Sequence, residues 1–179
     1  MNSKRLHSNS LWDTDWTQLG DGSWWITIMD GTSRLITGSE VFPEATAENA
    51  LKVLEDALAR YGCPREVLTD RGAQFYASEG ERKEKGASRF ETFLAEKGIK
   101  HILCRVSHLQ TNGKLERFYG VYDQKKHQFT SIDEYVEWHN TIKPHLSLDF
   151  ENLETPIQAF HRKLFLEEQK APPAETKVK

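Results

Sequence analysis

The 179-residue chain is poor in cysteine, in long apolar runs and in net positive charge, and each shortage removes a class of protein. Its two cysteines, Cys63 and Cys104, are too few for a disulfide framework and have no companions at zinc-finger spacing, so both read as reduced, partly buried thiols. No apolar run approaches the roughly 20 residues that cross a bilayer. The opening Met-Asn-Ser-Lys-Arg-Leu-His-Ser also lacks the apolar core of a signal peptide. No membrane partner is expected, and the expected location is the cytoplasm, with nucleoid association if the source is prokaryotic. A formal net charge of −3 excludes a binder that is basic over its whole surface. Internal repeats are absent, and the length suits one compact domain.

What is present is unevenly distributed. Residues 1–81 hold 7 basic and 13 acidic side chains, residues 82–126 hold 11 and 5, and residues 127–179 hold 6 and 9. The middle segment is therefore strongly basic. Such a run is most simply a solvated face, and it gains meaning only from the residues flanking it.

Patterning gives an element order. Residues 1–10 are polar without periodicity and are expected to form a flexible arm, and residues 169–179 a disordered tail, leaving 11–168 as the folded core. Three β-like stretches near 11–19, 23–30 and 34–42 are separated by Gly/Asp clusters, which predicts an antiparallel meander. Apolar residues at helical spacing from Thr46 to Tyr61 predict a helix stopped by Gly62 and Pro64. A short strand Glu66–Thr69 runs into Asp70. An exposed loop over 78–88 and a helix carrying Phe90, Phe93 and Leu94 lead to a strand over 99–104. A helix begins at Lys114. Ser131 with Glu134 forms a capping box for the next helix, and Thr155-Pro156 opens a last helix to about Leu166. Strands followed by alternating helices and strands make a mixed-sheet α/β domain.

Three acidic residues fall at element ends: Asp15 in the first strand, Asp70 just after Thr69, and Glu116 in the first turns of a helix. Carboxylates from separate elements that converge at one sheet edge can hold hard divalent cations, which take oxygen ligands. Two such ions about 3.5–4 Å apart activate the attacking oxygen and stabilise the leaving oxygen of an in-line phosphoryl transfer. Mg²⁺ suits few carboxylates plus water and phosphate oxygens.

The residues around them carry a resemblance. Trp12-Asp13-Thr14-Asp15-Trp16-Thr17, Thr69-Asp70-Arg71-Gly72-Ala73-Gln74-Phe75 and Asn112-Gly113-Lys114-Leu115-Glu116-Arg117-Phe118 resemble the three signatures of the DDE integrase and transposase catalytic core. Trp138-His139-Asn140, Lys143-Pro144-His145 and Thr155–Phe160 resemble its C-terminal elements, so the likeness covers about residues 11–165. It implies an RNase H-like fold, a five-stranded mixed sheet with three antiparallel strands and then two parallel ones, flanked by helices. It implies metal-dependent DNA strand cleavage and strand transfer, with Asp15, Asp70 and Glu116 as catalytic and metal-binding triad, Mg²⁺ in a two-metal site and Mn²⁺ able to substitute.

The implied partners are DNA, both element ends and target, and a second copy of the chain. A separate DNA-end-recognition domain or subunit is also expected. Lys114, Arg117, Lys125, Lys126, Lys143, His145 and His108 are candidate DNA contacts, with a structural hydrogen bond the alternative for His108. Asp13 shares Asp15's strand face and reads as a surface or supporting residue. Asn112 reads as a helix cap or as a partner of a metal-bound water. Between Asp70 and Glu116 lie 45 residues, more than the family commonly places there, the excess falling in 78–88, where a surface insertion leaves sheet and helix intact. Two further functions stay open: a transposase-derived DNA-binding remnant, and an RNase H-like nuclease.

Overall fold

Period-2 alternation dictates how the first strand is buried. In β1 (Trp12–Gln18), Trp12 and Trp16 point to one face of the sheet and Asp13 and Asp15 to the other. The structure is a computed structural model describing residues 6–78, 80, 86–104 and 113–170, with side chains of 165–170 excepted. β2 (Trp24–Asp30) and β3 (Ile36–Phe42) complete an antiparallel meander with β1. The chain then crosses over through α1 (Ala47–Tyr61) to β4 (Glu66–Thr69), which pairs parallel to β1, and through α2 (Arg89–Glu96) to β5 (Lys100–Leu103), parallel to β4. The sheet order is β3-β2-β1-β4-β5, the five-stranded mixed sheet expected. α3 (Gly113–Lys125), α4 (Ile132–Thr141) and α5 (Pro156–Lys170) follow, with a 3₁₀ turn, Lys126–Gln128, after α3.

Each face has its own core. Trp12, Trp16, Ile26 and Ile28 pack with Val53 and Leu54 of α1 and with Phe90 and Leu94 of α2. Gly38 permits this close approach, since a Cβ there would lie 2.8 Å from Val53 Cγ1. The opposite face packs Trp25, Met29 and Ile36 against Leu115, Phe118 and Tyr119 of α3 and Tyr135 of α4. Asp13 and Asp15 therefore face α3. Among the described residues no helix is long and apolar enough to cross a membrane.

Several local expectations hold. Thr46 caps α1 by accepting from Asn49 N, and Gly62, at φ 83°, ends the helix while donating to Leu58 O. In contrast, the Ser131–Glu134 capping box forms only by half. Ser131 Oγ accepts from Glu134 N, but the Glu134 carboxylate turns to Thr130 N at 2.6 Å.

Three readings change. The arm is not free at residues 8 and 9: Ser8 is buried and its Oγ donates to Phe160 O at 2.8 Å, and Asn9 Nδ2 donates to Tyr61 O at 2.8 Å. These polar residues are short of apolar anchors because they bond helix carbonyls instead, Asn9 the one at the end of α1 and Ser8 one within the last helix. The last helix continues past Leu166 to Lys170. Cys63 is exposed and only Cys104 is half-buried.

Candidate active site

The β1–β4 ladder sets the first two carboxylates side by side. Trp12 pairs with Val67 and Asp13 with Leu68, and the same register carried two residues further puts Asp15 opposite Asp70, just beyond the end of β4. α3 brings the third. Tyr119 Oη donates to the main-chain carbonyl of Asp15 at 3.1 Å, and Glu116 precedes Tyr119 by three residues, on an exposed position in the first turn of α3.

Electrostatics records the convergence. Burial, then the negative charge of Asp70, and to a smaller degree that of Glu116, push Asp15 up to about 6, against a lowering by its hydrogen bond from Trp16 N. One oxygen of each Asp is engaged by main chain: Asp15 Oδ1 accepts from Trp16 N at 2.9 Å and Asp70 Oδ1 from Gly72 N at 2.9 Å. The three carboxylates interact without closing into a ligand set. Among the described residues no group of three or more His, Cys, Asp or Glu side chains is placed to hold a metal ion.

Asp13 is not a surface residue. It is 1% exposed, and Lys114 Nζ lies 3.0 Å from its Oδ2. Burial raises its pKa, opposed by Lys114 and Arg34. Gly31 makes room for the pair: a Cβ there would lie 2.9 Å from Lys114 Nζ and 3.2 Å from Asp13 Oδ2. Lys114 thus ties the start of α3 to β1, next to Glu116, instead of projecting freely toward a phosphate.

The remaining candidates divide. Lys125 and Lys143 both lie over the Trp138 ring, at 5.9 and 5.3 Å from its centroid. Lys126 pairs with Asp123 at 3.4 Å on the exposed surface. Lys114, Arg117, Lys143 and His145 line one cavity of about 630 Å³ alongside α3. His145 is not a cation there. Burial, then Arg34, Lys143 and Arg117, lower it to about 4, and its Nδ1 accepts from Ser147 N at 3.2 Å. His108 and Asn112 lie outside the described residues, as do 79 and 81–85 of the expected loop.

Sequence reasoning missed Arg34, His139 and Tyr119. Asn140 holds both main-chain groups of Ile36 (N to Oδ1 2.9 Å, Nδ2 to O 3.0 Å), and His139 Nε2 bonds Arg34 O at 3.0 Å. The Trp138-His139-Asn140 run therefore anchors the β2–β3 turn and presents Arg34 to the cavity. The one available signal was the run itself, whose polar residues on an otherwise apolar helix face needed partners.

Comparison with known proteins agrees with this geometry. The model of the family described as the integrase core domain matches residues 5–108. An uncharacterized protein of Archaeoglobus fulgidus is 34% identical over 106 residues, covering 59% of this chain and 82% of that protein. Among solved structures, the catalytic core domain of BIV integrase superposes with a TM-score of 0.65 at 18% identity, covering 92% of this chain and 99% of that one. The HTLV-2 integrase catalytic core domain in complex with magnesium does so with a TM-score of 0.65 at 18% identity, covering 87% and 99%. At these identities the structural likeness concerns the fold, which is that of integrase catalytic cores.

Proposed function

The chain belongs to the integrase core domain family, and from that premise we propose that it cleaves and joins DNA strands in a divalent-metal-dependent reaction, with Asp15, Asp70 and Glu116 as the carboxylates that serve it. The observation that carries this reading is geometric: the β1–β4 register sets Asp15 opposite Asp70, and Tyr119 fastens the helix that bears Glu116 to the Asp15 carbonyl. Burial first, then the charges of Asp70 and Glu116, raise the pKa of Asp15, and a bound cation would relieve that repulsion.

The donor set fits a hard divalent ion: oxygen ligands only, from a strand, a strand end and a helix. Asp15, Asp70 and Glu116 are the residues that would hold Mg²⁺, with Mn²⁺ able to replace it. Bound there, the ion supplies charge neutralisation for in-line phosphoryl transfer. The chain's own groups do the positioning. Trp16 N and Gly72 N each orient one carboxylate oxygen, Tyr119 holds α3 against β1, and Lys114 on Asp13 fixes the first turn that bears Glu116. Arg117, exposed beside Glu116, and Lys125, Lys126 and Lys143 are the cations that would meet backbone phosphates. The reaction needs no covalent protein intermediate. A second copy of the chain as partner is part of this proposal, supported by the HTLV-2 core having been solved in dimeric and trimeric forms.

One observation favours the DNA-binding remnant as a second reading: the three carboxylates do not close into a metal-holding group among the described residues. A strand-transfer assay on a labelled duplex with Mg²⁺ or Mn²⁺ separates the two. Joined product is expected from the wild type, and at least about 100-fold less from Asp70→Asn and Glu116→Gln. Equal product from Glu116→Gln overturns the triad. DNA retention in a gel shift without any product, at either metal, selects the remnant.

A further inference from the structure

We propose that the cavity between α3, the C-terminal end of α4 and the β2–β3 turn binds a single nucleotide unit of DNA, the phosphate against Arg34, Arg117 and Lys143 and the base against Phe118 and the apolar wall. The proposal rests on the DNA-acting reading for its choice of a nucleotide over other organic anions.

Size and lining come first. At about 630 Å³ the cavity falls in the range of about 300–1,000 Å³ typical of small-molecule sites. Its walls divide chemically. Met29, Phe118, Val121 and Leu146 are apolar, and Arg34, Lys114, Arg117 and Lys143 are cationic, with no carboxylate in the lining among the described residues. Lys114 is taken by Asp13, but among the described residues Arg34, Arg117 and Lys143 form no ion pair. Burial and, more weakly, Arg117 lower Arg34 against the pull of Asp13 and Asp30, and burial, then Arg34, Lys143 and Arg117, lower His145. Positive charge is thus concentrated at the rim, with Arg34 partly balanced by Asp13 and Asp30 and with Arg117 and Lys143 outside any ion pair among the described residues, as phosphate recognition requires.

A second observation concerns the interior. His139, 3% exposed, lines the cavity and stands edge-on to Phe118 at a centroid distance of 4.8 Å. Its Nε2 lies 3.0 Å from the Arg34 carbonyl, which can only accept, so the ring proton sits on Nε2 and Nδ1 is an acceptor. Nδ1 is buried without a hydrogen-bond partner among the described residues, and burial keeps the ring neutral. A base offers a flat apolar face for the Phe118 phenyl ring, which inorganic phosphate does not. Arg117 directly follows Glu116 on α3, so one turn of that helix carries both a cation of this cavity and the third acidic residue.

The test is calorimetric titration of the full chain at pH 7, without metal, using deoxyadenosine 5′-monophosphate, deoxyadenosine, inorganic phosphate and the dipeptide Asp-Phe. The nucleotide is expected to bind at least about tenfold more tightly than the other three. Lys143→Glu and Arg117→Glu are each expected to weaken it by at least about tenfold at unchanged Tm; Arg117 is exposed, so that variant keeps the test open if the other misfolds. A single-stranded deoxyoligonucleotide is expected to displace the nucleotide. Phosphate or the dipeptide binding as tightly as the nucleotide, insensitivity to both substitutions, or failure of the oligonucleotide to compete would each overturn the proposal. Glu116→Gln separates this proposal from the catalytic one, because it should bind the nucleotide like the wild type while transferring no strands. Wild-type strand transfer without nucleotide binding sinks the cavity alone. Nucleotide binding by a protein that never transfers strands sinks the catalytic reading alone.

Discussion

Asp13 and Asp15 stand two residues apart on the same face of β1, with opposite surroundings. Asp13 is 1% exposed and meets a lysine 3.0 Å away across the gap left by Gly31. Asp15 is half-buried, the one hydrogen bond of its carboxylate among the described residues comes from the neighbouring main chain, and the charges closest in effect are Asp70 and Glu116. One carboxylate is neutralised inside the protein; the other is left with its repulsion. Structural carboxylates are stabilised by what folds around them; under the proposed function a cation from solution would do the same for Asp15. The difference is made by α3, which delivers Lys114 to one Asp and Glu116 to the other from positions two residues apart.

The strongest way to break this contrast is Asp15→Asn. Strand transfer is expected to fall by at least about 100-fold, while the folded protein becomes more stable at neutral pH. The sign follows from linkage. Asp15 has its folded pKa raised to about 6 from 3.8, so its contribution is fully present below about 3.8 and is lost as pH rises through 6. Denaturation of the wild type should accordingly show a stability gain on going from pH 7 to pH 4 that is smaller in Asp15→Asn, with a difference of about 1–2 kcal/mol after allowing for solvent screening. Mg²⁺ at saturating concentration should raise the wild-type Tm at pH 7 and leave that of Asp15→Asn unchanged. Identical pH profiles for the two proteins would show that Asp15 carries no such repulsion.

Lys114→Met tests the other half. It leaves Asp13 buried, its Oδ1 already lacking a partner among the described residues, and removes the cation from Oδ2. A loss of about 3 kcal/mol is expected by urea denaturation. Gly31→Ala should act in the same direction by about 1–3 kcal/mol, because its Cβ would press on both members of the pair. If Lys114→Met leaves stability unchanged but lowers DNA affinity, the lysine serves phosphate and not Asp13.

This contrast marks how far the sequence could be read. The strands and their succession along the chain were legible because alternation and Gly/Asp turns are local signals, and β4 ran to Thr69 as its residues suggested, whereas the five-stranded mixed sheet was implied by the family resemblance. The pair Asp13 and Asp15 was not separable by pattern, since a period of two puts both on one face; only the docking of Lys114, 101 residues away, distinguishes them. The polar start was misread for a similar reason: Ser8 finds its partner 152 residues downstream. His145 carries a basic residue's name, but burial among three cations keeps it neutral, a property of neighbours from three elements. Arg34 gave no signal because its role depends on His139 and Asn140 holding the turn around it.

Tyr119→Phe asks whether the two carboxylates are coupled through α3. The phenol donates to the Asp15 carbonyl at 3.1 Å from a buried position against Trp25, so removing the hydroxyl leaves the ring packing intact and one buried carbonyl without that donor. A stability loss of about 1 kcal/mol is expected. If the bond also sets the distance between Glu116 and Asp15, strand transfer should fall by more than stability alone explains, and the difference between wild-type and Asp15→Asn pH profiles should shrink in the Tyr119→Phe background. An unaltered difference would mean that the helix is held in place by Lys114 and the apolar contacts of Leu115 and Phe118, and that Tyr119 contributes only its hydrogen bond.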